Sequence, residues 1–241
     1  MTFDKVSKIT DKTDGWLKPI EVKFLYEQAR KLKNNGVIVE IGSYKGKSTI
    51  CLAGGSEEGT KTKVYAIDPH MTDLEQKVFN KGISSVEEFK NNIKNSGLRK
   101  FVELIVKKSE DAVKNWDKPI EFLWIDGDHT YEGAKLDFDL WSPFLVPGGI
   151  VAYHDSDGPT VQCVIKERIF SSLYFSNTGF AGSISFATKE SEPISFFESI
   201  RNKIVFFFII MPNTLQKIPV PQSVRILISK FGKTLFSMVK R

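Results

Sequence analysis

Residues 37–48 read Val-Ile-Val-Glu-Ile-Gly-Ser-Tyr-Lys-Gly-Lys-Ser, and no other stretch constrains this chain as much. The β-branched approach to Glu40, the glycines at 42 and 46, and the helical spacing opened by Ser48 and Thr49 predict a strand, a tight turn and a helix start. Glycine at those two places lets the backbone turn without a Cβ in the way and lets a ligand approach main-chain amides. A cofactor site is the first function this suggests. A dinucleotide fingerprint, Gly-x-Gly-x-x-Gly, fails because Tyr44 and Lys47 stand where its second and third glycines belong. A phosphate loop fails too, since Gly46-Lys47-Ser48 would need glycine at the position of Ile41. The run does fit Glu-x-Gly-x-x-x-Gly at Glu40, Gly42 and Gly46.

Around this turn the pattern alternates between strand and helix. Helical spacing over 19–32 stops at Asn34-Asn35-Gly36; Trp16 and Leu17 ahead of it read as packing on that helix, with a cover over a cofactor mouth as the alternative. The spacing predicts a helix over 48–53, a polar loop over 54–61, and a strand over 64–67 ending on Asp68, where an adenosine ribose would present its hydroxyls. A polar connection over 71–81 is long enough to act as a lid. Then come a helix over 86–95, a strand over 101–106 and a short helix that Ser109 caps. The run 120–125 is apolar enough to be a central parallel strand and ends in Asp126-Gly127-Asp128-His129. A helix over 131–144, a turn at Pro147-Gly148-Gly149, and a strand over 150–153 ending on His154-Asp155-Ser156 follow. A helix over 161–171 and short strands at 173–175 and 183–187 close the pattern. It predicts an α/β, doubly wound Rossmann-like sheet with ligands at the strand C-termini.

The composition, 241 residues at 41% hydrophobic, suits one domain over 1–190 with an extension over 191–241. Cys51 and Cys163 both sit in apolar sequence and read as reduced core residues of a cytoplasmic protein; neither has zinc-ligand spacing. Residues 1–12 carry no apolar segment of the kind a signal peptide needs. Of the net charge of +5, residues 191–241 hold +6, eight Lys/Arg against Glu192 and Glu198, which leaves the body at −1 and gives it no reason to bind nucleic acid. The apolar run 204–211 is far short of the ~20 residues that span a bilayer. From Val224 onward, Leu227, Ile228, Phe231, Leu235 and Met238 share one helical face, and Arg225, Lys230, Lys233 and Lys240 the other. Such a basic amphipathic helix over 222–241 docks on the body, builds a homo-oligomer, or lies on an anionic membrane at its inner, cytoplasmic face.

Two neighbouring strand ends thus carry carboxylates and imidazoles: Asp126, Asp128 and His129 on one, His154 and Asp155 on the other. Carboxylates so placed suit Mg²⁺ or Mn²⁺ with open positions for substrate, and a histidine beside them can take a proton. The structural alternatives are a helix cap for Asp128, packing for His154 and a turn contact for Asp155.

The glycine-loop run Ile41 to Thr49, the run from Trp124 to Gly133, Trp141 to Gly149 and then His154-Asp155 together resemble the class I S-adenosylmethionine-dependent methyltransferases of the methyltransferase 24 family. Relatives of that family include metal-dependent sugar and natural-product O-methyltransferases and, more distantly, catechol O-methyltransferase. The resemblance covers about residues 15–190 and implies a seven-stranded sheet with an antiparallel last strand. It implies S-adenosylmethionine across Glu40, Gly42, Ser43, Tyr44, Gly46 and Ser48, with Asp68 at the ribose, Ser109 and Glu110 beside the adenine, and Asp126 also among the cofactor contacts. By position Asp126 matches the first metal ligand of the catechol type and Asp155 the second. His129 stands where that type has its lysine base, and Ser156 where it has Asn or Asp as third ligand. The expected activity is methyl transfer to a hydroxyl of a small-molecule or glycan acceptor. An NAD-dependent oxidoreductase and a non-catalytic Rossmann-like docking module are the alternatives.

Overall fold

A computed structural model describes the backbone of residues 1–70 and 84–217 and the side chains up to residue 207. The lid expected over 71–81 and the basic face expected over 222–241 lie outside the described residues.

Seven strands are β1 (Val37–Ile41), β2 (Val64–Ile67), β3 (Val102–Ile105), β4 (Ile120–Ile125), β5 (Leu145–Tyr153), β6 (Phe175–Ala181) and β7 (Ile184–Lys189). They form one sheet in the order β3-β2-β1-β4-β5-β7-β6. The first five are parallel, and β7 runs antiparallel to both β5 and β6. The doubly wound sheet with an antiparallel last strand is therefore present. Central β4 is buried along its whole length, as a strand covered on both faces must be. Alternate residues feed two cores: Ile38, Phe122 and Trp124 face the core under α1 (Phe3–Thr10), α2 (Pro19–Arg30), α3 (Lys47–Glu58) and α4 (Ser85–Ser96). Val39, Leu123 and Ile125 face the core under α6 (Tyr131–Trp141) and α7 (Pro159–Ile165).

Several elements depart from expectation for packing reasons. Helix α3 runs on to Glu58 through Gly54 and Gly55, read above as a loop. These glycines mark close approach instead: a Cβ at Gly55 would sit 2.1 Å from the Tyr26 carbonyl oxygen, and one at Gly54 2.4 Å from a Val6 methyl. Strand β5 begins at Leu145 and carries Pro147-Gly148-Gly149 within it, with a register irregularity against β4. Strand β6 extends to Ala181 through Gly179, where a Cβ would meet the Phe186 ring at 2.6 Å. Ser109 lies inside α5 (Ser109–Ala112), whose N-cap is Lys108. Cys51 is buried, but Cys163 is exposed and so is not a core residue: it sits on α7 beside Val164 and Ile165, which take the buried face.

Helix α8 (Phe196–Lys217) packs across the edge strand β6. Asn202 donates to the Phe175 carbonyl (2.8 Å), and Thr178 donates to Asn202 (2.8 Å). No helix of the described residues is long and apolar enough to cross a membrane.

Candidate active site

The C-terminal ends of β1, β2, β4 and β5 converge on one edge of the sheet, as the parallel topology requires. Gly42 leaves β1 at φ +81°, and a Cβ there would lie 2.1 Å from the Asp126 backbone oxygen, so glycine alone lets β1 and β4 end side by side. The loop then turns through Tyr44, at φ +43°, to Gly46 at φ +87°, the N-cap of α3. Tyr44 holds this left-handed conformation because Asp68 accepts from both the Ser43 and Tyr44 amides at 2.8 Å. The other Asp68 oxygen accepts from the His70 amide at 2.7 Å. Asp68 is thus the clamp between β2 and the glycine loop.

Glu40 lies beneath the loop rather than in it. Its fully buried carboxyl accepts from Ser48 and from Thr49 (2.5 Å), tying β1 to the first turn of α3. Burial is the dominant influence and pushes its pKa up to about 8. An acid raised in this way contributes stability that is fully present below about 4.5 and is lost as pH rises toward about 8. Glu40→Gln is therefore expected to remove a stability loss on the order of 3 kcal/mol between pH 5 and pH 8. Thermal unfolding at the two pH values checks this, and an unchanged difference between them would refute it.

On the other strand ends, Asp126 accepts from His154 Nδ1 at 3.1 Å and stands 3.5 Å from His129 Nε2. Asp155, at φ +46°, brings its carboxylate 3.7 Å from His129 Nε2 and 3.6 Å from His154 Nδ1. A strained non-glycine residue at a strand end is characteristic of a functional position. Asp126, His154 and Asp155 each offer a ligand atom within 4.8 Å of the others. The structure does not bring Ser156 to this cluster: it is buried, donates to the Ser183 carbonyl (2.6 Å) and bonds to Ser185 (2.8 Å).

Behind His154 stands Glu21 of α2, which no motif in the sequence singles out. Its Oε2 lies 3.5 Å from His154 Nε2 and accepts from the Lys18 amide at 2.7 Å; its Oε1 accepts from the Ser183 amide and hydroxyl at 2.7 and 2.8 Å. Burial works to raise the Glu21 pKa, but bonds from His154, Ser183 and Lys18 outweigh it and hold the carboxyl at about 2. Burial likewise opposes the charge on His154, yet Asp126 and Glu21 push the imidazole up to about 10. The Asp126 bond also raises His129, which is half exposed at the cavity mouth.

Two cavities meet over these residues. One, of about 410 Å³, is bounded by Trp16, Tyr44, Ser48, His129 and Asp155; the other, of about 460 Å³, by Ser109, Glu110, Asp128 and Asp137. Gly42, Asp68 and Asp126 border both, and Glu40 borders neither. Trp16 does not staple α2 but stands over the first cavity, 77% exposed, its ring 5.4 Å from that of Tyr44. Lys45 anchors this cover through ion pairs at 2.9 Å to both Asp14 and Glu88. Of the remaining expected residues, Ser109 accepts from the Trp141 indole (2.8 Å) and Glu110 is exposed at the rim. Asp128 accepts from the Thr130 amide (2.8 Å), and Thr130 rather than Asp128 caps α6.

Residues 39–156, from β1 to just past β5, match the family model described as a methyltransferase domain. This stretch, 118 of the chain's 241 residues, is a methyltransferase domain of the class I S-adenosylmethionine-dependent type. The matched stretch contains Asp68, Asp126, His129, His154 and Asp155, whereas Trp16 and Glu21 fall outside it. A curated relative, the uncharacterized protein y4gI of Sinorhizobium fredii, is 28% identical over 124 residues, a match that spans 50% of this chain and 13% of that protein. Among solved structures, a protein from Corynebacterium glutamicum superposes with TM-score 0.61 at 16% identity, covering 79% of this chain and 92% of that one. The O-methyltransferase of Bacillus cereus solved with S-adenosylhomocysteine gives 0.54 at 19% identity, over 78% and 90% of the two chains. TomG, an O-methyltransferase of Streptomyces achromogenes involved in tomaymycin synthesis and solved with S-adenosylmethionine, gives 0.55 at 18%, over 78% and 89%. At these identities the likeness shows the fold.

Proposed function

We propose that this methyltransferase moves a methyl group from S-adenosylmethionine to a hydroxyl of a small acceptor, a sugar or natural-product alcohol, with assistance from a divalent cation. One observation carries the reading: two cavities joined over Gly42, Asp68 and Asp126 place a nucleoside-sized space on one side and the carboxylate–imidazole cluster on the other. The adenine lies toward Ser109 and Glu110, the ribose at Asp68, and the methionine part along Ser43 to Ser48 above Glu40. Bound cofactor supplies an electrophilic methyl group for in-line displacement by the acceptor oxygen.

The chain's own residues then have distinct tasks. His129, exposed to the cavity and flanked by Asp126 and Asp155, takes the acceptor proton. Trp16 and Tyr44 narrow the mouth and exclude water. Asp126, His154 and Asp155 would hold a divalent cation once the ion displaces the proton that His154 Nδ1 shares with Asp126, and Glu21 would keep the imidazole in place through Nε2. The chemistry an ion supplies there is a lowered pKa for the acceptor hydroxyl, and the imidazole among the donors favours Mn²⁺ over Mg²⁺. Free Cys51 and Cys163 agree with a reducing cytoplasmic setting, and the basic run 222–241 with contact at the inner membrane face or with self-association.

Isothermal titration with S-adenosylmethionine tests the central claim. Saturable binding is expected, and no binding by folded protein would sink it; the same titration with NAD tests the oxidoreductase alternative. Turnover that survives EDTA unchanged would remove the cation and leave His129 as sole base.

A further inference from the structure

We infer that the outward face of α8 docks on an anionic lipid bilayer. With 100° per residue, Phe196, Phe197, Ile200 and Ile204 fall within an arc of about 100°. They are 74, 81, 38 and 42% exposed, while Asn202 and Val205 on the opposite side are buried against the body. The helix is fixed in this pose. Asn202 bonds to β6, and Arg201 donates both to Glu198 (3.2 Å) and to the Thr178 carbonyl (3.2 Å). A rigid, phenylalanine-rich stripe facing water needs an occupant.

Charge identifies that occupant. No acidic residue follows Glu198, whereas eight Lys/Arg do, from Arg201 and exposed Lys203 to Arg241. Glu198 itself is occupied by Arg201 and by the Asn177 amide (3.1 Å). Apolar insertion combined with basic residues is the pair of signals that reversible binding to an anionic leaflet requires. A second copy is a poor occupant, because a two-fold interface on this face would bring two segments of like charge together. The stripe is thus the apolar half of the contact, and exposed Lys203, which lies beside it on the described helix, is a cation placed to meet the headgroups.

The full chain should co-sediment with vesicles of mixed phosphatidylcholine and phosphatidylglycerol, far less with phosphatidylcholine alone, and less in high salt. The double substitution Phe196→Ser/Phe197→Ser should lower partitioning by on the order of tenfold or more, and Ile204→Ser should lower it too. Both variants alter exposed side chains, so their melting temperatures and S-adenosylmethionine titration should match the parent. Absence of binding by the parent chain would overturn the inference, as would binding that the serine variants leave unchanged. A concentration-dependent dimer in light scattering that the serine variants dissolve would overturn it in favour of a second copy.

Discussion

Asp126→Asn is expected to lower methyl transfer by roughly 10³-fold while leaving S-adenosylmethionine affinity within a few-fold. Asparagine keeps the shape of the side chain but removes the charge that faces His154 Nδ1 at 3.1 Å and His129 Nε2 at 3.5 Å. Orientation of the base is lost together with one anionic donor of the cluster, whereas the backbone that shapes Gly42 stays in place. His129→Ala removes the base alone and should cost about 10²-fold, and the double variant should be little worse than Asp126→Asn, because residues that act as a unit do not add. Release of S-adenosylhomocysteine with an acceptor that the parent enzyme turns over is the measurement. Turnover of Asp126→Asn within threefold of the parent would contradict the assignment, as the docking-module alternative requires.

The placement of these residues was legible from sequence because it is local. Glu-x-Gly-x-x-x-Gly marks a turn whose geometry only glycine satisfies, and strand ends written as Asp-Gly-Asp-His and His-Asp-Ser fall on one sheet edge once the strands are parallel. What stayed hidden depends on separation in the chain. Glu21 meets His154 across 133 residues, and nothing in the spacing of α2 distinguishes it from a surface charge. Trp16 stands over the cavity where Lys45 ties its segment to α4 through Asp14 and Glu88 and Lys47 donates to the Gly15 carbonyl. Ser156, adjacent to Asp155, is drawn into the serine-rich β6–β7 turn instead, and the local sequence says nothing of that competition. Gly54 and Gly55 misled for a similar reason: glycine in a helix signals a break unless a neighbour, here Val6 and Tyr26, occupies the missing Cβ space.

Glu21→Ala is expected to cost about 3–5 kcal/mol of stability, because it strips one partner from a buried charged pair. Four donors lose their acceptor at once: His154 Nε2, the Ser183 amide, the Ser183 hydroxyl, and the Lys18 amide at the start of α2. Alanine cannot restore any of them. Gly182 meets the Glu21 carboxylate so closely that its own Cβ would lie 2.4 Å from Oε1, so the turn has settled onto this side chain and gains no substitute partner when it is removed. A fall of roughly 10 °C in melting temperature follows for a protein of this size. Lys18→Ala separates the carboxylate's role from a surface ion pair: the Lys18 ammonium is 3.7 Å from Glu21 but 60% exposed, and the helix is capped through its backbone amide. That variant should change stability by less than about 1 kcal/mol. Glu21→Gln keeps an acceptor oxygen and should fall between the two. Equal melting temperatures for Glu21→Ala and Lys18→Ala would show that Glu21 does not hold His154, and that the imidazole is positioned by Asp126 alone.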